Sequence, residues 1–175
     1  MKQLIYIIFI GFIFSNTIYL GADISGWYDG EAYDYSEDFD DLGILIGYDY
    51  NIKKYTSYEI SIGASYMLQS LYRETWMDAW SGIIYGGQEA EFISIYTAPK
   101  IFINDKIGMW VKIGTNLQTE YYFDKSIGLT YGFGFNYRTK NKLIGSLGFV
   151  SNNTSLDNSI VNIYRINLSL GYDLE

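Results

Sequence analysis

The chain predicts an all-β protein: an eight-stranded antiparallel up-and-down transmembrane β-barrel, preceded by a cleavable signal peptide. Three observations carry that prediction. Large apolar and small polar residues alternate with period two in about eight segments. The connections between those segments alternate between short and long. Past the N-terminus, no stretch is apolar over the roughly 20 residues that a spanning helix needs. Successive side chains on a strand face opposite ways, so each segment has one greasy face and one polar face.

The N-terminus reads MKQ, then LIYIIFIGFIF, then SNT. A positive start, a short apolar run and a polar exit fit a secretory leader, here residues 1–16. Residues 17–175 then form the barrel domain. The first strand is read as Ile18 to Tyr28, with Ile18, Leu20, Ala22, Ile24 and Tyr28 outward and Asp23, Ser25 and Trp27 opposite. The second, Leu42 to Ile52, turns Ile44, Ile46, Tyr48 and Tyr50 outward. The third, Ser57 to Leu68, sets Tyr58, Ile60, Ile62 and Tyr66 against Glu59, Ser61, Gly63 and Ser65.

The fourth strand, Glu91 to Phe102, is the least regular. Phe92, Tyr96 and Phe102 share one face, while Ile93 and Ile95 share the other. Pro99 cannot donate to a ladder, which places it near a strand end or a bulge. The fifth, Ile107 to Leu117, alternates cleanly. The sixth, Ile127 to Arg138, is the clearest: Ile127, Leu129, Tyr131, Phe133, Phe135 and Tyr137 oppose Gly128, Thr130, Gly132, Gly134, Asn136 and Arg138. The seventh is Leu143 to Ser151. The eighth, Ile160 to Leu174, sets Tyr164, Ile166, Leu168, Leu170 and Tyr172 against Arg165, Asn167, Ser169, Gly171 and Asp173.

Short turns follow strands two, four and six, and longer loops follow strands one, three, five and seven. Residues 70–88 read as an apolar-rich loop with room for a helical turn. Charge divides along the same axis. Asp29, Glu31, Asp34, Glu37, Asp38, Asp40 and Asp41 crowd the first long loop, in a chain of net charge −8. Lys53, Lys54, Lys100, Lys106, Arg138, Lys140 and Lys142 gather at the short-turn side.

Volume decides which face is outside. Eight strands enclose a bore just wide enough for side chains or one small ligand. The bulky rows, drawn from a chain with 19 Tyr and 10 Phe, cannot all fit there. They are therefore expected to meet lipid, with Tyr48, Tyr50, Tyr58, Tyr66, Tyr137 and Tyr172 forming interfacial girdles.

On strand pattern, loop asymmetry and leader, residues 17–175 resemble the small eight-stranded outer-membrane β-barrel proteins of Gram-negative bacteria. The resemblance implies export to the outer membrane, contact with its lipid and lipopolysaccharide, assembly by the barrel-assembly machinery, and a monomer. Members of the group commonly end in an aromatic residue that this machinery reads. Here the last residues are Gly171-Tyr172-Asp173-Leu174-Glu175, with Tyr172 and Leu174 nearest that role.

Chemistry is sparse. The chain has no His and no Cys, so it lacks the side chain that titrates near neutrality and any thiolate nucleophile. No Gly-x-Ser-x-Gly segment occurs, and we expect no enzyme, cofactor or metal centre. The acidic loop lacks the ligand spacing of a calcium hand. The net charge and the lack of a basic patch disfavour nucleic acid. The inward charges Asp23, Asp49, Glu59, Lys112, Arg138 and Arg165 are expected to form a structural network, with Arg138 and Lys112 neutralising the carboxylates. Trp76, Met77 and Trp80 are candidates for surface contact. The expected role is structural or surface-interacting: envelope integrity, adhesion or loop display, with a plugged lumen. Passive transport of a small solute through the lumen or a lateral gap, and a soluble ligand-binding barrel, are the alternatives.

Overall fold

The computed structural model of the chain describes residues 17–30, 37–38, 42–77, 84–119, 126–156 and 159–174. Side chains are described for these except at residues 30, 37–38, 70–77, 84–89 and 156. The leader read over residues 1–16 lies outside them. Among the described residues nine strands form: β1 (Thr17–Gly30), β2 (Glu37–Asp38), β3 (Gly43–Lys54), β4 (Tyr58–Met77), β5 (Ile84–Phe102), β6 (Ile107–Gln118), β7 (Ile127–Arg138), β8 (Leu143–Leu156) and β9 (Ser159–Asp173). Each pairs antiparallel with its neighbour, and β1 also pairs with β9. The two-residue β2 lies on the same edge of β1 as β3, so the closed ring has eight staves.

Alternation sets which side chains leave the ring. On β7, Phe133 is 59% exposed and Phe135 54%, while Thr130 between the same neighbours is 1% exposed. Ile46, Ile62, Ile95, Ile113 and Leu168 continue the outer row on the other staves. An apolar belt of this extent would be an aggregation surface in water; in hydrocarbon it is solvated. Tyr50, Tyr55, Tyr58, Tyr137 and Tyr172 ring the short-turn end. Trp27, Phe149 and Tyr164 stack toward the other end, with Trp27 and Tyr164 ring centroids 5.2 Å apart. Beyond that stack the outer face turns polar: Asn153 donates to Asn162 at 2.5 Å, and Asn162 to Asp29 at 3.2 Å. A greasy band bounded by aromatic rings and then by polar side chains has the profile of a bilayer.

Four expectations change. The β1–β9 ladder skips Ile24, so Asp23 pairs with Asn167 and Ser25 with Ile166. This bulge adds one residue and reverses the phase of everything after it. Tyr28, expected outside, is buried in the lumen, whereas Ser25 and Trp27 face outward. Second, residues 70–77 and 84–88, read as parts of a loop, are strand. β4 and β5 run 20 and 19 residues and pair as far as Met77↔Ile84, with irregularities between Ser70 and Thr75. Third, β8 and β9 pair as far as Leu156↔Ser159, so the seventh connection is residues 157–158 and short. Fourth, the bore is not lined by small residues alone, because Tyr19, Tyr28, Phe92, Tyr96, Phe102 and Trp110 all point in. Pro99 lies three residues before the end of β5, where the β5–β6 pairing lapses between Thr97↔Ile113 and Lys100↔Trp110.

Glycines make room for those rings. On the inner face Tyr19 is paired with Gly47, Tyr96 with Gly63, Phe102 with Gly108, and Trp110 with Gly134, whose own partner on β8 is Gly148. In each case the ring lies where a glycine side chain would begin. A Cβ on Gly134 would meet the Leu147 carbonyl oxygen, Gly148 Cα at 2.6 Å and Trp110 Cζ2 at 2.7 Å, and one on Gly145, which faces out, would meet nothing closer than 3.9 Å. Overpacking of this kind costs about 1–3 kcal/mol. Gly134→Ala is therefore expected to lower the unfolding midpoint in detergent and urea by that order, with Gly145→Ala unchanged. Equal midpoints for the two variants would remove the ring-over-glycine account.

Candidate functional site

Of the candidate groups, the charged lumen is the one the structure assembles. Inward positions read from the short-turn end toward the long-loop end as Phe102, Lys100, Ala98, Tyr96, Ser94, Phe92 on β5 and Asp173, Gly171, Ser169, Asn167, Arg165, Ile163 on β9. On these two staves Lys100 and Asp173 lie near the short-turn end and Phe92 and Ile163 near the other, with polar side chains between.

At the short-turn end, Arg138 Nη2 donates to Glu59 Oε1 at 2.7 Å, joining β7 to β4 across the bore. The guanidinium lies 4.5 Å from the centre of the Phe102 ring. Lys54 and Asp173 pair at 2.9 Å on the rim. One level deeper, Asp49 accepts from Lys100 Nζ at 2.8 Å and from Tyr96 Oη at 2.9 Å. The Tyr96 hydroxyl also meets that of Tyr19. Nearer the long-loop end, Asp23 accepts from Arg165 Nη1 at 3.2 Å and from Asn167 Nδ2 at 3.0 Å. Arg165 also donates to Asn152, which donates to Ser94 Oγ at 3.3 Å. Above this polar layer Tyr28, Leu45, Met67, Ala90, Phe92, Val161 and Ile163 pack into one buried cluster. Phe92 and Ile163 are 0% exposed and Tyr28 1%, so this cluster is closely packed inside the bore on the side of β1, β3, β4, β5 and β9.

The six inward charges read from sequence do all enter the lumen, but their pairing differs from expectation in one respect. Lys112 joins no carboxylate among the described residues. Its ammonium lies 3.9 Å from the Tyr96 ring centre and 5.8 Å from those of Tyr19 and Trp110. The partner of Asp49 is Lys100, which sequence reading had assigned to the basic short-turn rim. Its parity with Tyr96 and Phe102 on β5 was the available signal. Trp76 and Met77 end β4, paired with Tyr85 and Ile84. Their side chains, Trp80 altogether and most of the acidic loop lie outside the described residues.

Chemically the arrangement is a set of braces. Asp23, Asp49 and Glu59 each accept from a cationic side chain, and among the described residues no His or Cys stands beside a hydroxyl to form a nucleophile pair. A cavity of about 60 Å³ is bounded by, among others, Asp49, Lys100, Lys112, Trp110, Asn136, Ser146 and Ser169. That is room for a few waters.

No protein-family model matches the chain, and no curated protein matches it in sequence. Solved structures do match in shape. The attachment invasion locus protein Ail of Yersinia pestis superposes with a TM-score of 0.53 at 13% identity, over 90% of this chain and 97% of that one. This is the fold of the small outer-membrane β-barrels. Neisserial surface protein A gives a TM-score of 0.53 at 11% identity, over 90% of this chain and 96% of its own. At such identities the likeness carries the architecture alone.

The Glu59–Arg138 brace yields a direct test. Removing one partner of a buried pair strands the other, at a cost of about 3–5 kcal/mol. Glu59→Gln and Arg138→Gln are each expected to destabilise the folded barrel, and the double variant to lose clearly less than the sum. Strictly additive losses in unfolding free energy would show that the two side chains do not act as a pair.

Proposed function

We propose that this chain is a monomeric, non-catalytic barrel of the bacterial outer membrane, exported through the leader at residues 1–16, with a structural or surface-interacting role. The short turns face the periplasm, and the long connections, with their acidic run, face outward toward lipopolysaccharide. The observation that carries the reading is the filled bore. A lumen holding the ion pairs Lys100–Asp49, Arg138–Glu59 and Arg165–Asp23, with Phe92, Met67, Tyr28 and Ile163 packed beyond them, supports a rigid scaffold rather than a passage. The fold's function would then lie in what its outer end presents: envelope integrity, adhesion or loop display. The apolar belt on the outside argues against the soluble ligand-binding alternative. The absence of His and Cys supports the non-catalytic part.

Reconstitution into planar bilayers distinguishes scaffold from channel. The expected record is silent at moderate voltage, apart from transient leaks. Steady, solute-selective current steps would overturn the closed-lumen reading and favour transport.

A further inference from the structure

Lys112 is the lumen cation that makes no ion pair among the described residues. Around the bore, Lys100 is matched by Asp49, Arg138 by Glu59, Arg165 by Asp23, and Lys54 by Asp173. Lys112 remains, its ammonium against ring faces and sharing the field of Asp49, whose direct partner is Lys100. A cation over an aromatic ring gains about 2 kcal/mol when desolvated, and burying a lone ion costs several. The rings therefore offset the charge only in part.

The cavity beside it supplies what a counter-ion needs. Its wall carries Lys112 and the hydrogen-bonding side chains of Asn136, Ser146 and Ser169. Trp110 Nε1 donates to Ser146 Oγ at 2.9 Å, which leaves the Ser146 hydroxyl hydrogen free to donate onward. Among the described residues, the side chains of Asn136 and Ser169 spend no hydrogen bond elsewhere. Thr17, Ile144 and Gly171, all within two residues of the short-turn ends of their strands, also bound the cavity, so it is reached from that end. The apolar cluster lies toward the other end.

We propose that this cavity binds one small monovalent inorganic anion, of the size and charge of chloride, beside the Lys112 ammonium. Charge sets the valence. Lys100 and Lys112 against Asp49 leave one positive charge at the cavity wall, which a monovalent anion cancels and a divalent one would overshoot. Volume sets the size, because about 60 Å³ excludes an organic solute. The site holds an ion in place and does not pass it through. It deepens the scaffold reading without depending on it, since a bound anion is read from stability and a channel from current.

The test uses the protein extracted in folded form from membranes in detergent. Its unfolding midpoint is followed while sodium chloride replaces sodium gluconate at constant ionic strength. The site predicts a saturating rise, with the folding equilibrium constant increasing about tenfold when chloride is ten times its dissociation constant. Lys112→Met is expected to abolish the rise, and Lys112→Arg to keep it. A wild-type midpoint that ignores the anion overturns the proposal, and this arm stands even if Lys112→Met does not fold. A chloride response of equal size in Lys112→Met, or one that climbs linearly without saturating, overturns it as well.

Discussion

Closure of the sheet is the constraint from which everything else in this molecule follows. In hydrocarbon, no water is present to satisfy a free backbone N–H or C=O, so a spanning sheet cannot keep an edge. The ladder from Thr17↔Asp173 to Gly30↔Val161 removes the last one by returning β9 to β1. A ring of eight staves fixes a narrow bore, and a narrow bore fixes how much side chain can be inside. The bulk that does not fit goes to the outside, where lipid accepts it.

The interior then has to solve a packing problem with few atoms to spare. It does so by complementarity across neighbouring strands. A ring on one stave lies over a glycine on the next, as Trp110 does over Gly134 and Gly148. The polar groups that remain are paired because they sit in a small space with little water. Glu59 and Arg138 come from opposite sides of the ring, 79 positions apart in sequence, so their bond ties distant staves together. Ions gather in the short-turn half of the lumen, and the apolar cluster lies toward the long-loop end on β1, β3, β4, β5 and β9. Lys112 falls at the boundary between them, which is why its environment is the least settled in the lumen.

Much of this was legible in the residues themselves. The outer rows of β3, β6, β7 and β9 follow from period two alone, because one buried residue per pair is what a two-faced sheet requires. The inward placement of Asp23, Asp49, Glu59, Arg138 and Arg165 follows from the same parity. What escaped has specific causes. A bulge carries no fixed sequence mark, so the shift at Ile24 exchanged the faces of Trp27 and Tyr28. Residues 70–88 and 152–156 lack clean alternation, and the hairpins there are long through pairing rather than pattern. The inward face of Trp110 follows from parity with Lys112, whereas Tyr19 and Tyr96 were hidden because a volume argument speaks of the whole set of large residues and not of individual ones. Lys100 was lost beside Pro99, where an irregular strand obscured its parity.

The claim beneath all of this is that alternate residues of each stave touch hydrocarbon. The chain has no native Cys, so single-cysteine spin labels can be placed without background. In a bilayer, labels at Ile113, Phe133 and Leu168 are predicted to collide strongly with oxygen and weakly with a water-soluble nickel chelate. Labels at the inward positions Lys112, Asn136 and Asn167 are predicted to lose the oxygen preference. If the oxygen preference fell instead on the inward set, or failed to alternate along β7, the barrel's outer surface would not be a lipid surface and the account would fail.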